Sequence, residues 1–539
     1  MGPRPRIRFF SSFGWSLIGS ALLALSFTPV GLYPIAWVAL VPILSRWARR
    51  EASWAYAREL YAVFLMTSCL AGFWLLFHPE TSQAIRGGFG LFLIPLPFVA
   101  AFLSAAFVRT RWGLAAGLAM LVANVLAFEY LMLHSPVHAP WLLFGHTQAG
   151  ATLFNQMADI GGVLLLSGWV LALNVTAFLA LPSATELPSR WQERLSLLLN
   201  DRPGARGFAT AVLSLLLALP MAYSVHCMSG LDAVAGYLRV GLVQPNMTPK
   251  DWADPAAKSR VAYLAELSND VVQHWQGRTY LPDSSTFARP VSLSSPARPD
   301  APTGLLVWPQ GALPHLGNPD RQRDLVERLD GWTERLNVGL LTGAETIDEG
   351  ATLPVQTAVF LAPNRDPATV DQQMRSPLFD APSGDAASQK PTPFPFDRTH
   401  VASVVGFESL FGDYARDAVS GADVLVVLAK TDQWGHSPGI YQHLAFTRLR
   451  AIETRRSVVV SSVRGVSALI HPDGTAERVA DWKDQGVISL DVPIHQQHTL
   501  YSQWGDWVGL FGLGLALVAN ISVFGRARFG APRTPRRKL

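Results

Sequence analysis

Ser403-Val404-Val405-Gly406-Phe407-Glu408-Ser409-Leu410-Phe411-Gly412 is the stretch on which the reading of this 539-residue chain turns. Together with Val401 and Ala402 it forms an apolar, β-branched run that ends in a glycine and is followed by residues suited to a helical turn. That is the pattern of a buried strand leaving its sheet through a tight turn. The residue at the turn is Gly406, which has no side chain.

The surroundings of this stretch share its grammar. Short runs recur at Arg239–Val243, Gly304–Trp308, Val338–Thr342, Thr357–Leu361, Val424–Leu428 and Val458–Ser462. Polar stretches with helical character, Ser259–Gln276, Asp320–Leu336 and Tyr441–Thr454, separate several of them. Buried strands alternating with helices predict an α/β domain. Two stretches, Asp283–Pro302 and the proline-rich Asp380–Asp397, interrupt the pattern and read as surface loops.

Outside this segment the composition changes. The chain is 49% hydrophobic and only 16% charged, with a mean hydropathy of +0.22, which points to a membrane protein carrying a polar domain. Crossing ~30 Å of hydrocarbon takes about 20 apolar residues. Candidate spans are Ser11–Phe27, Leu32–Ser45, Leu60–Phe77, Phe89–Val108, Gly113–Met132, Ile160–Leu181, Phe208–Tyr223 and Trp507–Phe524. The second and seventh are short enough to be re-entrant, and Pro95 and Pro97 should kink the fourth. Arginines at Arg4, Arg6 and Arg8, between spans two and three, four and five, and six and seven, and after the last all fall on one side if eight spans leave both termini inside. The N-terminal run reads as an uncleaved anchor.

The division that follows is 1–227, a membrane domain of about seven helices; 228–500, an α/β domain outside the cytoplasm; and 501–539, a last membrane helix with a basic tail. The pI near 9.1 reflects arginines flanking apolar runs, a topology signal and not a nucleic-acid surface. Cys69 and Cys227 are the only cysteines, so neither a disulfide framework nor a cysteine zinc site is expected. His436 and His443 lack a third ligand, and neither a metal nor another cofactor is expected.

Local motifs then line up along nearly the whole chain: Pro34, Trp37 and Pro42; Glu129, Pro140-Trp141, Gln148 and Gly161-Gly162; Val240–Asn246; Val307-Trp308-Pro309; Gln356-Thr357-Ala358; and Gln442-His443, Arg450–Glu453 and His471–Gly474. In this order they resemble the apolipoprotein N-acyltransferases of the carbon–nitrogen hydrolase (nitrilase) superfamily. The resemblance implies an α-β-β-α sandwich outside the inner membrane of a bacterium. It also implies acyl transfer from a membrane phospholipid, through a cysteine, to the N-terminus of a lipoprotein. A glutamate base, a cysteine nucleophile and a lysine that stabilises the oxyanion would carry that reaction.

Carried over by motif, the base position is Gln310, the lysine position Gln372 and the nucleophile position Gly406. A carboxamide cannot take up a proton near neutral pH, and no cysteine exists from Met228 to Leu539 that a shifted register could supply. Ser403 and Ser409 lie nearby, with no imidazole or carboxylate evidently paired to either. Further pocket positions fall on Phe407, Glu408, Asp380, Lys430, Asp432, Trp434 and Arg464. Glu408 reads as a carboxylate bonded to backbone. Lys430 could replace the lost lysine or pair with Glu408 or Asp432. The expectation is a catalytically inactive relative that binds a lipid, a lipoprotein or an envelope protein. The alternatives are a divergent acyltransferase working through Ser409, Glu408 or Lys430, and a structural subunit of an envelope complex.

Overall fold

The computed structural model describes residues 13–78, 80–135, 138–180, 203–231, 233–252, 258–277, 302–314, 319–346, 355–373 and 391–529. Its N-terminal part comprises helices α1 (Phe13–Leu25), α2 (Val41–Trp47), α3 (Trp54–Gly72), α4 (Thr81–Leu93), α5 (Pro95–Trp112), α6 (Leu114–His134), α7 (Ala158–Ala180) and α8 (Pro203–Ser229). Among the described residues, five helical stretches are long and apolar enough to cross a membrane: Trp54–Phe77, Thr81–Trp112, Leu114–His134, Ala158–Ala180 and Gly207–Ser229. The expected second span, Leu32–Ser45, is instead a 3-10 turn, Tyr33–Trp37, followed by the seven-residue α2. Pro34 and Pro42 each sit in the first turn of these short pieces, where a missing N–H is tolerated, and they interrupt one continuous helix. In the fourth span α4 passes into α5 at Ile94-Pro95, where Ile94 keeps helical dihedrals of φ −52° and ψ −37°.

The described part of the α/β domain contains two six-stranded sheets. The first runs β12-β1-β2-β3-β4-β5, with β1 Gly236–Gln244, β2 Leu305–Val307, β3 Gly339–Thr346, β4 Val355–Leu361, β5 Ala368–Asp371 and β12 Gly486–Ile494. The second runs β11-β10-β9-β8-β7-β6, with β6 Phe394–Phe396, β7 Thr399–Val405, β8 Val424–Ala429, β9 Ser457–Ser462, β10 Ser467–Ile470 and β11 Ala476–Ala480. Their centres, β1-β2-β3 and β7-β8-β9, are parallel. Every residue of β8 is buried, as expected for a parallel strand covered on both faces. All seven sequence-predicted strands are present. The loop expected over Asp380–Asp397 contributes β6, whose Phe394 stacks on Phe360 of β4 across the sandwich. The other expected loop, Asp283–Pro302, lies outside the described residues except for Pro302.

Three cores give the layers. Val240, Leu242, Val307, Leu341, Val405, Val426 and Val459 fill the space between the sheets. Helices α9 (Lys258–Trp275) and α10 (Pro319–Leu336) cover the first sheet through Leu264, Val271, Trp275 and Leu329. Helices α11 (Gly412–Ala418) and α12 (Pro438–Thr454) cover the second, and this outer layer is continuous with the apolar interior of the N-terminal helices. The last helix, α13 (Trp507–Phe529), returns to that part, and the Trp507 indole donates to the Ile160 carbonyl at 2.9 Å.

Polar braces cross the boundary between the two parts. Arg455 donates to Gln156 Oε1 at 2.6 Å and to Asp159 Oδ2 at 2.7 Å. Glu453, fully buried, accepts from the Val163 N–H and from Arg450. Gln442 donates to the carbonyls of Thr28 and Ala71 and accepts from Trp74. Buried charges persist only when paired in this way, so the α/β domain is seated by chemistry as well as by apolar contact. Motif residues of the N-terminal part also act as braces. Glu129 accepts from the Phe144 N–H at 2.7 Å, and Gln148 accepts from the Trp37 indole at 3.1 Å.

Candidate functional site

β7 ends at Val405, and Gly406 adopts φ +53° at the start of a 3-10 turn over Gly406–Leu410. This left-handed backbone suits glycine. Glu408 holds the turn in place. One of its carboxylate oxygens accepts from the Val405 N–H at 2.8 Å and the other from the Gln373 N–H at 2.6 Å. Its 1% exposure and two backbone donors match a structural carboxylate. Burial, reinforced by the Glu408 charge, pushes the neighbouring Tyr414 phenol well above its usual range.

Gln310 lies beyond the end of β2 and faces Gly406 across the sandwich. A Cβ at position 406 would stand 2.6 Å from Gln310 Oε1. The carboxamide thus fills the space that a side chain at the turn would need. Its Nε2 donates to Gln356 Oε1 at 3.4 Å, and Gln356 Nε2 in turn donates to Glu345 Oε1 at 3.2 Å. Gln372, which is 6% exposed, joins the same cluster through its backbone N–H, which donates to the Gln356 carbonyl at 2.8 Å. Positions 310, 372 and 406, far apart in the chain, are therefore gathered at one end of the two sheets. Amide groups there can donate and accept hydrogen bonds but cannot exchange protons at neutral pH.

The pairing of Ser409 with an imidazole was not visible in the sequence, and the structure corrects that reading. Ser409 Oγ lies 3.1 Å from His443 Nε2. Both groups also converge on the Gly406 carbonyl, Ser409 at 3.0 Å and His443 at 3.2 Å. A carbonyl only accepts, so the hydroxyl proton and the Nε2 proton are directed at it, and His443 acts as a donor and not as a base toward Ser409. Burial lowers His443 to about 4, opposed by the Gly406 carbonyl, so the ring is neutral. Ser409 is 0% exposed. The pair ties α12 to the turn.

Phe407 packs near Trp141, and Trp434 packs edge-on against Trp74 at 4.8 Å between ring centres. Both therefore serve the contact with the N-terminal helices. Asp432 is 2% exposed. Burial raises its carboxyl to about 6, opposed by Lys430, by backbone N–H groups and by Arg464. Lys430 is half-buried, and its charge also acts on His78, whose ring burial lowers and a bond to Gln433 raises. Arg464 lies over the Trp482 ring at 4.7 Å, and His436 stacks on the same ring. Asp380 lies outside the described residues. Sequence reasoning missed Glu345, the carboxylate at the far end of the carboxamide chain. Its position near the carboxyl end of a central parallel strand was the available signal.

Fold and site define a class: a carbon–nitrogen hydrolase α/β sandwich built onto a bundle of apolar helices. Residues 239–498 match the carbon-nitrogen hydrolase family, and residues 19–176 match the apolipoprotein N-acyltransferase N-terminal domain. An apolipoprotein N-acyltransferase of Chlorobaculum tepidum is 24% identical over 94% of this chain and 96% of its own. One from Azotobacter vinelandii is 26% identical over 98% of each. Among solved structures, an amidase of the nitrilase superfamily from Nesterenkonia AN1 is similar over 49% of this chain and 94% of its own, at 16% identity and a TM-score of 0.35. The chain belongs to the apolipoprotein N-acyltransferase family and is a membrane protein.

Proposed function

We propose that this chain is a non-catalytic member of its family that binds an acylated ligand, a phospholipid or a lipoprotein, at the outer face of a bacterial inner membrane. The observation that carries the reading is the position of Gln310: its carboxamide occupies the space beside Gly406 where the family's reaction calls for a base facing a nucleophile. Losing a single essential nucleophile typically costs on the order of 10⁶ in rate, and here the base and lysine positions are glutamines as well.

Placement at the outer face rests on the family resemblance, because the arginine pattern needs eight spans and the second stretch is broken at Pro34 and Pro42. A divergent acyltransferase finds its best candidate in Ser409, and the geometry of His443 argues against it.

The test is expression in a bacterium depleted of its own N-acyltransferase, with lipoprotein N-termini read by mass spectrometry. Lipoproteins that stay diacylated while the chain co-purifies with phospholipid or lipoprotein support the proposal. Full N-acylation dependent on this chain would overturn it.

A further inference from the structure

Away from the carboxamide cluster, three groups from three separate elements meet on one side of a cavity. His134 ends α6, Asp413 lies in the first turn of α11, and Asp506 immediately precedes α13. His134 Nε2 is 2.8 Å from Asp413 Oδ2 and 3.6 Å from Asp506 Oδ2, and the ligand atoms of the three residues all lie within 4.8 Å of one another. Donors about 2.0–2.1 Å from a tetrahedral ion stand about 3.3 Å apart, a value these separations bracket.

The remaining hydrogen bonds orient the cluster for an ion. His134 Nδ1 lies 2.9 Å from the Tyr130 carbonyl, an acceptor, so Nδ1 carries a proton, and the 2.8 Å contact of Nε2 with Asp413 places a second proton there, the one that an ion would displace. Asp506 is 5% exposed. Its Oδ1 accepts from the Tyr501 hydroxyl at 2.9 Å, while Oδ2 faces His134 beyond hydrogen-bond distance. Asp413 Oδ1 faces Arg416 at 3.2 Å, leaving Oδ2 to the cluster. The adjoining cavity, about 210 Å³, is lined by these three residues and by His138, Leu133 and Phe411. His138 lines the same cavity, with its Nδ1 3.1 Å from the Leu133 carbonyl.

We propose that His134, Asp413 and Asp506 form a divalent-cation site, with His138 as fourth donor from the cavity wall. Two imidazoles with two carboxylates favour Zn²⁺ over the oxygen-seeking Mg²⁺ or Ca²⁺. The ion would replace the proton that otherwise has to sit between Nε2 and two carboxylates. It would join α6 and α13 to α11, directly behind the Gly406–Leu410 turn. The site is independent of whether that turn does chemistry.

The experiment is calorimetric titration of Zn²⁺ into the chelator-treated full chain in detergent, for the wild type and for Asp506→Asn, His134→Gln and His138→Gln. Each protein is first checked for a monodisperse chromatographic profile. The wild type is expected to bind about one Zn²⁺ per chain, and each folded variant to bind at least ten-fold more weakly. His138→Gln, which removes one surface-side hydrogen bond, keeps the test valid where the other two variants fail to fold. No stoichiometric Zn²⁺ on the wild type, or equal binding by the wild type and the folded variants, would overturn the site and leave an imidazolium held between two carboxylates.

Discussion

Replacing Gly406 with alanine tests whether the turn and Gln310 are matched to each other. The φ of +53° costs a residue with a Cβ about 1–2 kcal/mol. The new methyl carbon would lie 2.6 Å from Gln310 Oε1 and 3.3 Å from its Cδ, too close without movement. The carboxamide is the end of a flexible side chain and can swing away, breaking its 3.4 Å bond to Gln356. That bond is long, so its loss is worth about 0.5–1 kcal/mol. Gly406→Ala should therefore destabilise the α/β domain by about 1.5–3 kcal/mol. In a Gln310→Ala background only the backbone strain remains, and the same change should cost about 1–2 kcal/mol. Pulse proteolysis across a urea series, in detergent, reads all four proteins of this cycle through their midpoints. A Gly406→Ala variant as stable as wild type would refute the strain argument. Equal losses in both backgrounds would show that Gln310 does not fill the space beside the turn.

Four further outcomes are expected. The triple variant Gln310→Glu, Gln372→Lys, Gly406→Cys should form a hydroxylamine-labile acyl adduct with phospholipid at least ~10²-fold faster than Gly406→Cys alone, the usual scale of base catalysis; equal rates would mean that the three positions do not work together. A fluorophosphonate probe should leave Ser409 unmodified, since the hydroxyl is sealed and His443 donates toward it; labelling lost in Ser409→Ala would restore the enzyme reading. Asp432, raised from 3.8 to about 6 in the fold, binds more protons folded than unfolded across that interval, so it should make stability fall as pH rises from about 4 to 6. Asp432→Asn should flatten that slope and gain about 2–3 kcal/mol at pH 7, read as urea midpoints at pH 4.5 and 7.5. Arg455→Ala leaves Asp159 buried without its cation and should cost about 3–5 kcal/mol, seen as faster proteolysis at the junction of the α/β domain with α7.

The two kinds of domain were legible in the chain because hydropathy and strand periodicity are local properties. β7, β8 and β9 announce themselves as uninterrupted β-branched runs because both faces are covered. The short edge strands β5 and β6 do not, since Ala368–Asp371 and Phe394–Phe396 become strands by pairing with β4 and β7. The second predicted span failed for a related reason. Apolar content was sufficient, but Pro34 and Pro42 divide the stretch into pieces too short to cross.

The sequence by itself settled which side chains are missing. With no cysteine after Cys227, no arrangement of the α/β domain can supply the family's thiol, and a glutamine at position 310 is a carboxamide in any fold. Only the tertiary structure decided what the remaining groups do. It set Gln310 against Gly406, turned His443 into a donor to the Gly406 carbonyl, and brought His134, Asp413 and Asp506 together from segments that are distant in the chain. Chemical identity belongs to the residue, whereas hydrogen-bond direction, burial and proximity belong to the packing of elements that sequence spacing does not encode.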